Sequence, residues 1–461
     1  MSPALRATCA IPSKLTLSML AVTLGAGLLL SSCAEAVAAT PREARHGRPS
    51  PARPPPARPN PCVEVAAGTA LQPLFDRAHE GDAFCLAAGA YAGPLTIPSG
   101  VTVWGPREAV VRSNGVGTTI TLQSRVRLLG FTVDGSGTRF DVLDASLKLD
   151  RGEDVHLEGL KVERSTFGIL LEQAKRVTLR GNHVVGVGGS ALGLRGDGIR
   201  LWETYDSLVE DNLVEESRDL VVWYSSRNVL RNNEVRLGRY GTHFMYSHGN
   251  LVEGCRYLNN EVGIFIMYSR DITVRDNTML GASGAAGMGI GLKESGNARI
   301  EDNQLIDNTL GIFVDNSPIT LGESNHFLRN TIRLGEVGIS FLSTTHDNEF
   351  RDNVLRDNHH PVRVESGGDA MKLVWDGNLF DDYVGYDLDG DDIGDVPFEL
   401  SDLGNVLESQ NADLAFLRGT PALSLVSLAG HVVPLFAPKP VLKDEHPRLK
   451  PLPTKERDHA R

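Results

Sequence analysis

The sequence predicts an all-β chain wound into a right-handed parallel β-helix, on three observations: a repeat of about 22 residues, a short alternating strand in each repeat, and one asparagine at a fixed offset. The strands Gly198-Ile-Arg-Leu-Trp202, Asp219-Leu-Val-Val-Trp223, Gly241-Thr-His-Phe-Met245, Gly263-Ile-Phe-Ile-Met267, Gly289-Ile-Gly-Leu-Lys293, Gly311-Ile-Phe-Val-Asp315 and Gly338-Ile-Ser-Phe-Leu342 start 21, 22, 22, 26, 22 and 27 residues apart. Fourteen residues after the starts come Asn212, Asn233, Cys255, Asn277, Asn303 and Asn325, with Asn353 one later; Gly168 and Asn182 repeat the offset upstream. In a solenoid of this kind each coil buries its apolar face only against its neighbours, and stacked Asn side chains satisfy one another and the backbone at a bend. Leucine-rich repeats share the length but need regularly spaced leucines and a helical half, and propeller blades need roughly 40 residues each. About ten coils are expected from Val63 to Leu373. The N-terminal ones (Leu95-Thr-Ile, Val101-Thr-Val, Val126-Arg-Leu-Leu, Val155-His-Leu) rest on alternation alone.

Composition agrees. Glycine supplies 48 of 461 residues, above the average of about 7%, which excludes a coiled coil or helical bundle. Hydrophobic residues at 41% are enough for a core, and a net charge of −12 argues against nonspecific nucleic-acid binding, which needs an excess of Lys and Arg.

Four regions follow in order. Residues 1–32 read as an export signal: Arg6 and Lys14 precede an apolar run, Leu15 to Leu30, too short and too near the terminus for a membrane span. The run ends in Leu30-Ser31-Ser32-Cys33, which resembles a bacterial lipobox, so Cys33 is expected to carry lipid and tether the mature protein to a membrane in the periplasm. Cleavage near Ala36-Val37-Ala38-Ala39 is the alternative. Residues 33–61 form a Pro/Arg-rich tether or spacer, with eight prolines between Pro41 and Pro61 among Arg42, Arg45, Arg48, Arg53 and Arg58. The β-helix occupies 62–375, and an acidic loop with a C-terminal docking segment occupies 376–461. In an oxidising compartment Cys62 and Cys85 are expected to pair across the N-terminal cap; Cys255, in an Asn slot, reads as a buried small residue.

Alternation assigns faces. The first and third residues after each start are aliphatic and point inward; the second and fourth point outward. The fourth reads Trp202, Trp223, Met245, Met267, Lys293, Asp315, and the second includes Arg200, Val221, His243 and Phe265. Large soft groups thus form a continuous outward patch, the mark of an interaction site. Thioether and imidazole suit Cu(I), and His243, Met245 and Met267 share one face on adjacent coils; the alternative is an apolar docking surface using methionine flexibility. Tyr224-Ser, Tyr246-Ser and Tyr268-Ser continue its edge. Asp387, Asp389, Asp391 and Asp395 place carboxylates along a loop that suits Ca²⁺ or stands as a solvated acidic turn, and it departs from an EF-hand at Asp392 and Phe398. Glycoside hydrolysis would need paired outward carboxylates on adjacent coils, and the columns read here do not supply them.

The run Tyr240-Gly-Thr-His-Phe-Met-Tyr-Ser247, the second Met-Tyr-Ser at Met267 to Ser269, and the segment Gly377-Asn378 through Gly385-Tyr-Asp-Leu-Asp-Gly390 to Asp395-Val-Pro-Phe398 resemble the NosD family. Members are periplasmic β-helical maturation proteins for nitrous oxide reductase, and the similarity runs from about Gly89 to Pro451. The resemblance implies a noncatalytic copper-handling role alongside an ABC transporter complex, a copper chaperone and apo nitrous oxide reductase, whose copper–sulfide site is assembled. The competing expectation is a carbohydrate-binding or polysaccharide-cleaving β-helix at the cell envelope, whose aromatic stripe stacks on sugar rings; a third is a surface protein with no ligand.

Overall fold

The computed structural model describes residues 54–189, 191–342, 346–365, 368–401, 425 and 440–452. The leader, Cys33 and residues up to 53 of the expected tether lie outside the described residues.

Among the described residues three long parallel sheets of 14, 12 and 13 strands run along the chain, and consecutive strands in each sheet come from successive coils. The 14-stranded sheet runs from Val63–Val65 to Val374–Asp376, the 13-stranded sheet ends at Leu379–Phe380, and the 12-stranded sheet spans Leu95–Ile97 to His360–Val364. The architecture is the expected parallel β-helix. Its fourteen strands in one sheet exceed the ten coils expected, because the N-terminal coils carry no Gly-Ile start and were legible only as isolated alternating triplets.

Alternation sets the core. Ile199, Leu201, Ile264, Ile266, Ile290, Leu292, Ile312 and Val314 all point inward and are fully buried. At the bends between sheets, polar ladders replace aliphatic ones. Asn182, Asn212 and Asn233 stack so that each Oδ1 accepts both the backbone N–H and the Nδ2–H of the preceding rung, while each Nδ2 also donates to a carbonyl. The ladder resumes at Asn277, Asn303, Asn330, Asn353 and Asn378. Asn325, expected in this column, stands in a different one, donating to Asn348. The loop after Asp315 lengthens its coil, so the Asn slot falls at Asn330, and Asn325 stands at the preceding bend, where its strand Asn325–Leu328 begins. Ser225, Ser247, Ser269, Ser295 and Ser317 build a parallel ladder in which each hydroxyl accepts the backbone N–H of the coil before.

Both open ends are covered. At the N-terminal end a four-residue helix, Gln72–Phe75, lays Leu71 and Phe75 over the first coil, Phe75 packing edge-on to Phe84, and a disulfide joins Cys62 to Cys85. Residues 54–61 do not hang free: Trp104 donates its indole N–H to the Pro56 carbonyl, and the Arg58 guanidinium lies over the same ring. At the other end Phe398–Ser401 pairs antiparallel with Pro440–Asp444. Phe398 stacks on Phe380, and the buried Asp444 carboxylate accepts from the backbone and side chain of Asn378, terminating the Asn ladder. The described C-terminal residues thus cap the solenoid and leave the Trp–Met face uncovered.

Candidate metal centre

The 12-stranded sheet carries the outward stripe. Trp202 pairs in register with Trp223, Trp223 with Met245, and Met245 with Met267; Val221, His243 and Phe265 pair in the neighbouring column. The strand Tyr240–Met245 holds one residue more than its predecessor: Asp219 pairs with Tyr240 but Val221 with His243, so Gly241 and Thr242 together oppose Leu220. Such bulges re-aim side chains. Gly241 is required, because a Cβ there would stand 2.3 Å from Cδ1 of Tyr257. Beneath the bulge, Thr242 and Tyr257 hydrogen-bond through their hydroxyls at 2.9 Å inside an otherwise aliphatic core.

His243 does not stand out in solvent as simple alternation implies; it is 6% exposed. Aromatic rings wall it in: Tyr240 at 4.7 Å, Trp223 edge-on at 5.3 Å and Phe265 parallel at 6.2 Å between centroids. Its Nε2 lies 3.2 Å from Sδ of Met267, while its Nδ1 is buried with no hydrogen-bond partner. Either neutral tautomer leaves one ring nitrogen poorly served: a proton on Nδ1 is unpaired, and a proton on Nε2 meets only a weak sulfur acceptor. Burial lowers the imidazole pKa to about 4, so the ring is neutral and its lone pair available across the ordinary pH range. A soft cation between Nε2 and the thioether would use both lone pairs, so the donor set fits Cu(I). Met245, beside Met267 in the ladder, is the second thioether on this face.

The rest of the stripe is half-buried because its aromatic groups pack on one another. Trp202 and Trp223 lie 5.7 Å apart, and Arg200 places its guanidinium over both. Tyr224, Tyr246 and Tyr268 occupy left-handed bends (φ 52°, 49° and 50°) and stack nearly parallel at 5.3 and 4.9 Å. Their faces are therefore spent on each other.

Sequence reasoning missed several neighbours. Tyr240 faces outward only because of the bulge. The thioether of Met288 packs toward Phe265 over Gly291, where a Cβ would meet Met288 Sδ at 2.5 Å. Asp150 and Glu172 form adjacent outward carboxylates, paired in register with Trp202 one coil further on, which corrects the expectation that no such pair exists. Glu172 is tied to Lys148 at 3.1 Å and Asp150 to Arg151 at 3.3 Å. His248 lies on an exposed bend, its Nδ1 accepting from the Arg270 backbone, outside the niche. Cys255 is buried in the Asn ladder, its thiol pKa pushed up to about 11 by burial, which leaves it inert.

The acidic loop lies apart, beyond the last coil. Carboxylate oxygens of Asp387, Asp389 and Asp391 gather within 4.8 Å of one another, and Asp395 is not among them. Asp387 accepts the backbone N–H groups of Gly390, Asp391 and Asp392, which hold its pKa below the usual range, and Asp395 accepts from Leu388.

A family profile described as "Periplasmic copper-binding protein (NosD)" matches residues 186–385, the coils that carry the niche. A protein named "Probable ABC transporter binding protein NosD" from Stutzerimonas stutzeri is 25% identical over 390 residues, covering 80% of this chain and 87% of its own length. Its namesake from Pseudomonas aeruginosa is 26% identical over 404 residues, covering 80% and 89%. Over these coils the chain is similar to the NosD family. Solved structures show the fold that this chain shares. The A-module of the Azotobacter vinelandii mannuronan C-5 epimerase AlgE6 superposes with a TM-score of 0.53 at 16% identity, covering 67% of this chain and 96% of that one. The catalytic unit of a Streptomyces thermodiastaticus α-1,3-glucanase gives 0.52 at 14%, covering 68% and 67%. At such identities the likeness extends to architecture alone. Among the described residues no helix is long and apolar enough to cross a membrane.

Proposed function

We propose that this chain is a noncatalytic periplasmic copper-handling protein that binds Cu(I) at His243, Met245 and Met267 and docks a client on the Trp202, Trp223, Phe265, Tyr246 and Tyr268 face. Its partners are an ABC transporter complex, a copper chaperone and apo nitrous oxide reductase, whose copper–sulfide site it helps to assemble; Cys33 anchors it to the membrane by lipid. The observation that carries the reading is the 3.2 Å approach of a neutral, buried imidazole nitrogen to a thioether, beside a ring nitrogen without a partner. The family description and the relatives' names support the copper and transporter parts. A site of one imidazole and two thioethers on an open sheet face, with no anionic ligand, suits transient carriage. Anaerobic titration with Cu(I) against a chromophoric competitor tests it. The native chain binds one equivalent, and His243→Ala or Met267→Ala weakens binding by about tenfold or more, roughly 1.4 kcal/mol each. Equal affinity in the native chain and both variants removes direct carriage.

The second reading, a carbohydrate-active β-helix, is favoured by the Asp150 and Glu172 pair beside Trp202. The ion pairs on both carboxylates and the mutual stacking of the tyrosines weigh against it. Oligosaccharide binding lost in Trp202→Ala and kept in His243→Ala would favour it over copper.

A further inference from the structure

A string of buried charges runs alongside the niche. The Asp197 and Asp219 side chains are wholly inaccessible, and the arginines that serve them are only partly exposed. Arg218 links the two carboxylates, at 2.7 Å to Asp197 and 3.4 Å to Asp219. Arg200 reaches Asp197 at 3.4 Å, and Arg239 grips Asp219 through two contacts, Nε at 3.0 Å to Oδ1 and a second from Nη2 to Oδ2. Charges removed from water in this way are costly, and an apolar set of the same volume would often be as stable. Stability alone therefore does not account for them.

Both ends of the string meet the walls of the His243 niche. Arg200 lies over Trp223 at 5.3 Å, and Trp223 stands edge-on to the imidazole. Arg239 lies over Tyr240 at 4.4 Å, and Tyr240 is 4.7 Å from the imidazole on another side. Asp219 makes one more contact, accepting the backbone N–H of Tyr240 at 3.2 Å. That N–H belongs to the first residue of the bulged strand, immediately before Gly241 and Thr242. Asp219 thus fixes the point where the extra residue enters, and the bulge sets the direction of His243.

We propose that Asp219, with Arg239 and the Arg200–Asp197–Arg218 string, is a positioning device: it clamps the bulge and holds the Tyr240 and Trp223 walls so that His243 Nε2 points at Met267 in a buried niche. Asp219 and Arg239 touch no metal; they act through Tyr240 and the backbone. The inference rests on the copper reading for its purpose, and its geometry stands without it. Arginine is needed at 239, because lysine has the charge but not the planar fork that engages a carboxylate through two nitrogens while stacking on a ring.

The test compares the full chain with Asp219→Asn, Arg239→Lys and the control Asp206→Asn, which breaks an exposed pair with Arg227 elsewhere. Folding is checked first by circular dichroism and urea midpoint. Without metal, modification of His243 by diethyl pyrocarbonate is followed by mass spectrometry: in the native chain and the control His243 is protected, and in Asp219→Asn and Arg239→Lys it reacts about tenfold faster. With Cu(I), affinity falls about tenfold in the same two variants, the size usual for loss of an outer-shell partner. Variants that fold but leave His243 as protected as in the native chain overturn the proposal. Should Asp219→Asn not fold, the milder Arg239→Lys carries the same comparison. A native chain that does not bind Cu(I) while labelling changes as stated overturns the copper reading and leaves the positioning device intact.

Discussion

At the scale of single residues, His243 decides most. The imidazole titrates near 6.5 in an unfolded chain and at about 4 in its niche, because burial disfavours the cation. Above pH 6.5 the ring is neutral folded or unfolded and this group contributes no pH dependence. As pH falls below 6.5 the unfolded chain takes up a proton that the niche refuses. Stability therefore drops through this window and levels off below pH 4, by about 3 kcal/mol in total. Urea midpoints from pH 7 to 4 measure the slope, and His243→Phe is expected to reduce it; an unchanged slope means that the ring is hydrated. The outward direction of His243 was legible from alternation along its own strand. Its burial was not, since that depends on Tyr240, Trp223 and Phe265 arriving from three strands, one of them turned by a bulge that leaves no mark in sequence.

At the scale of elements, the bends hold the coils in register. Each Asn rung serves both neighbours, and Cys255 interrupts the column: Asn233 Nδ2 keeps its bond to the Val209 carbonyl at 2.8 Å but meets the next rung only as a sulfur at 3.8 Å, where the other rungs make oxygen contacts near 3 Å. Cys255→Asn restores an acceptor for Asn233 and a donor for the Leu230 carbonyl, which the thiol reaches only at 3.6 Å. A net contribution of about 1 kcal/mol is expected, seen as a raised melting temperature; a lowered one would mean that the slot has no room for the amide. The Asn period was plain in the sequence, 18 of 23 asparagines falling between Asn182 and Asn358. It misled at Asn325, because counting residues from a strand start takes no account of a loop that lengthens the coil. Charged ladders were not legible at all. Arg180 pairs with Glu210, Arg231 with Glu253, and Arg275 with Glu253 across successive coils, contacts that exist only once register is set.

At the scale of the whole molecule, the solenoid is a one-dimensional stack, so its ends and its exposed face behave separately. The Cys62–Cys85 link closes a separation of 23 residues at the N-terminal end. Reduction is expected to cost about 3 kcal/mol, felt as fraying of the cap and first coils. Hydrogen exchange should then rise at Val63–Leu86 and stay unchanged around His243; faster exchange throughout would show a single cooperative unit. The fold class was readable because a repeat writes the same constraint many times. The site was readable only in part, as a column of soft side chains, because its walls and its clamp are relations between coils. The central claim, that this column holds copper through His243 and the thioethers, is tested most directly by X-ray absorption at the copper edge of the anaerobically loaded full chain. One imidazole nitrogen and two sulfur scatterers are expected, the nitrogen lost in His243→Ala and one sulfur in Met267→Ala. A shell of nitrogen and oxygen alone, or a spectrum that neither substitution changes, would contradict it.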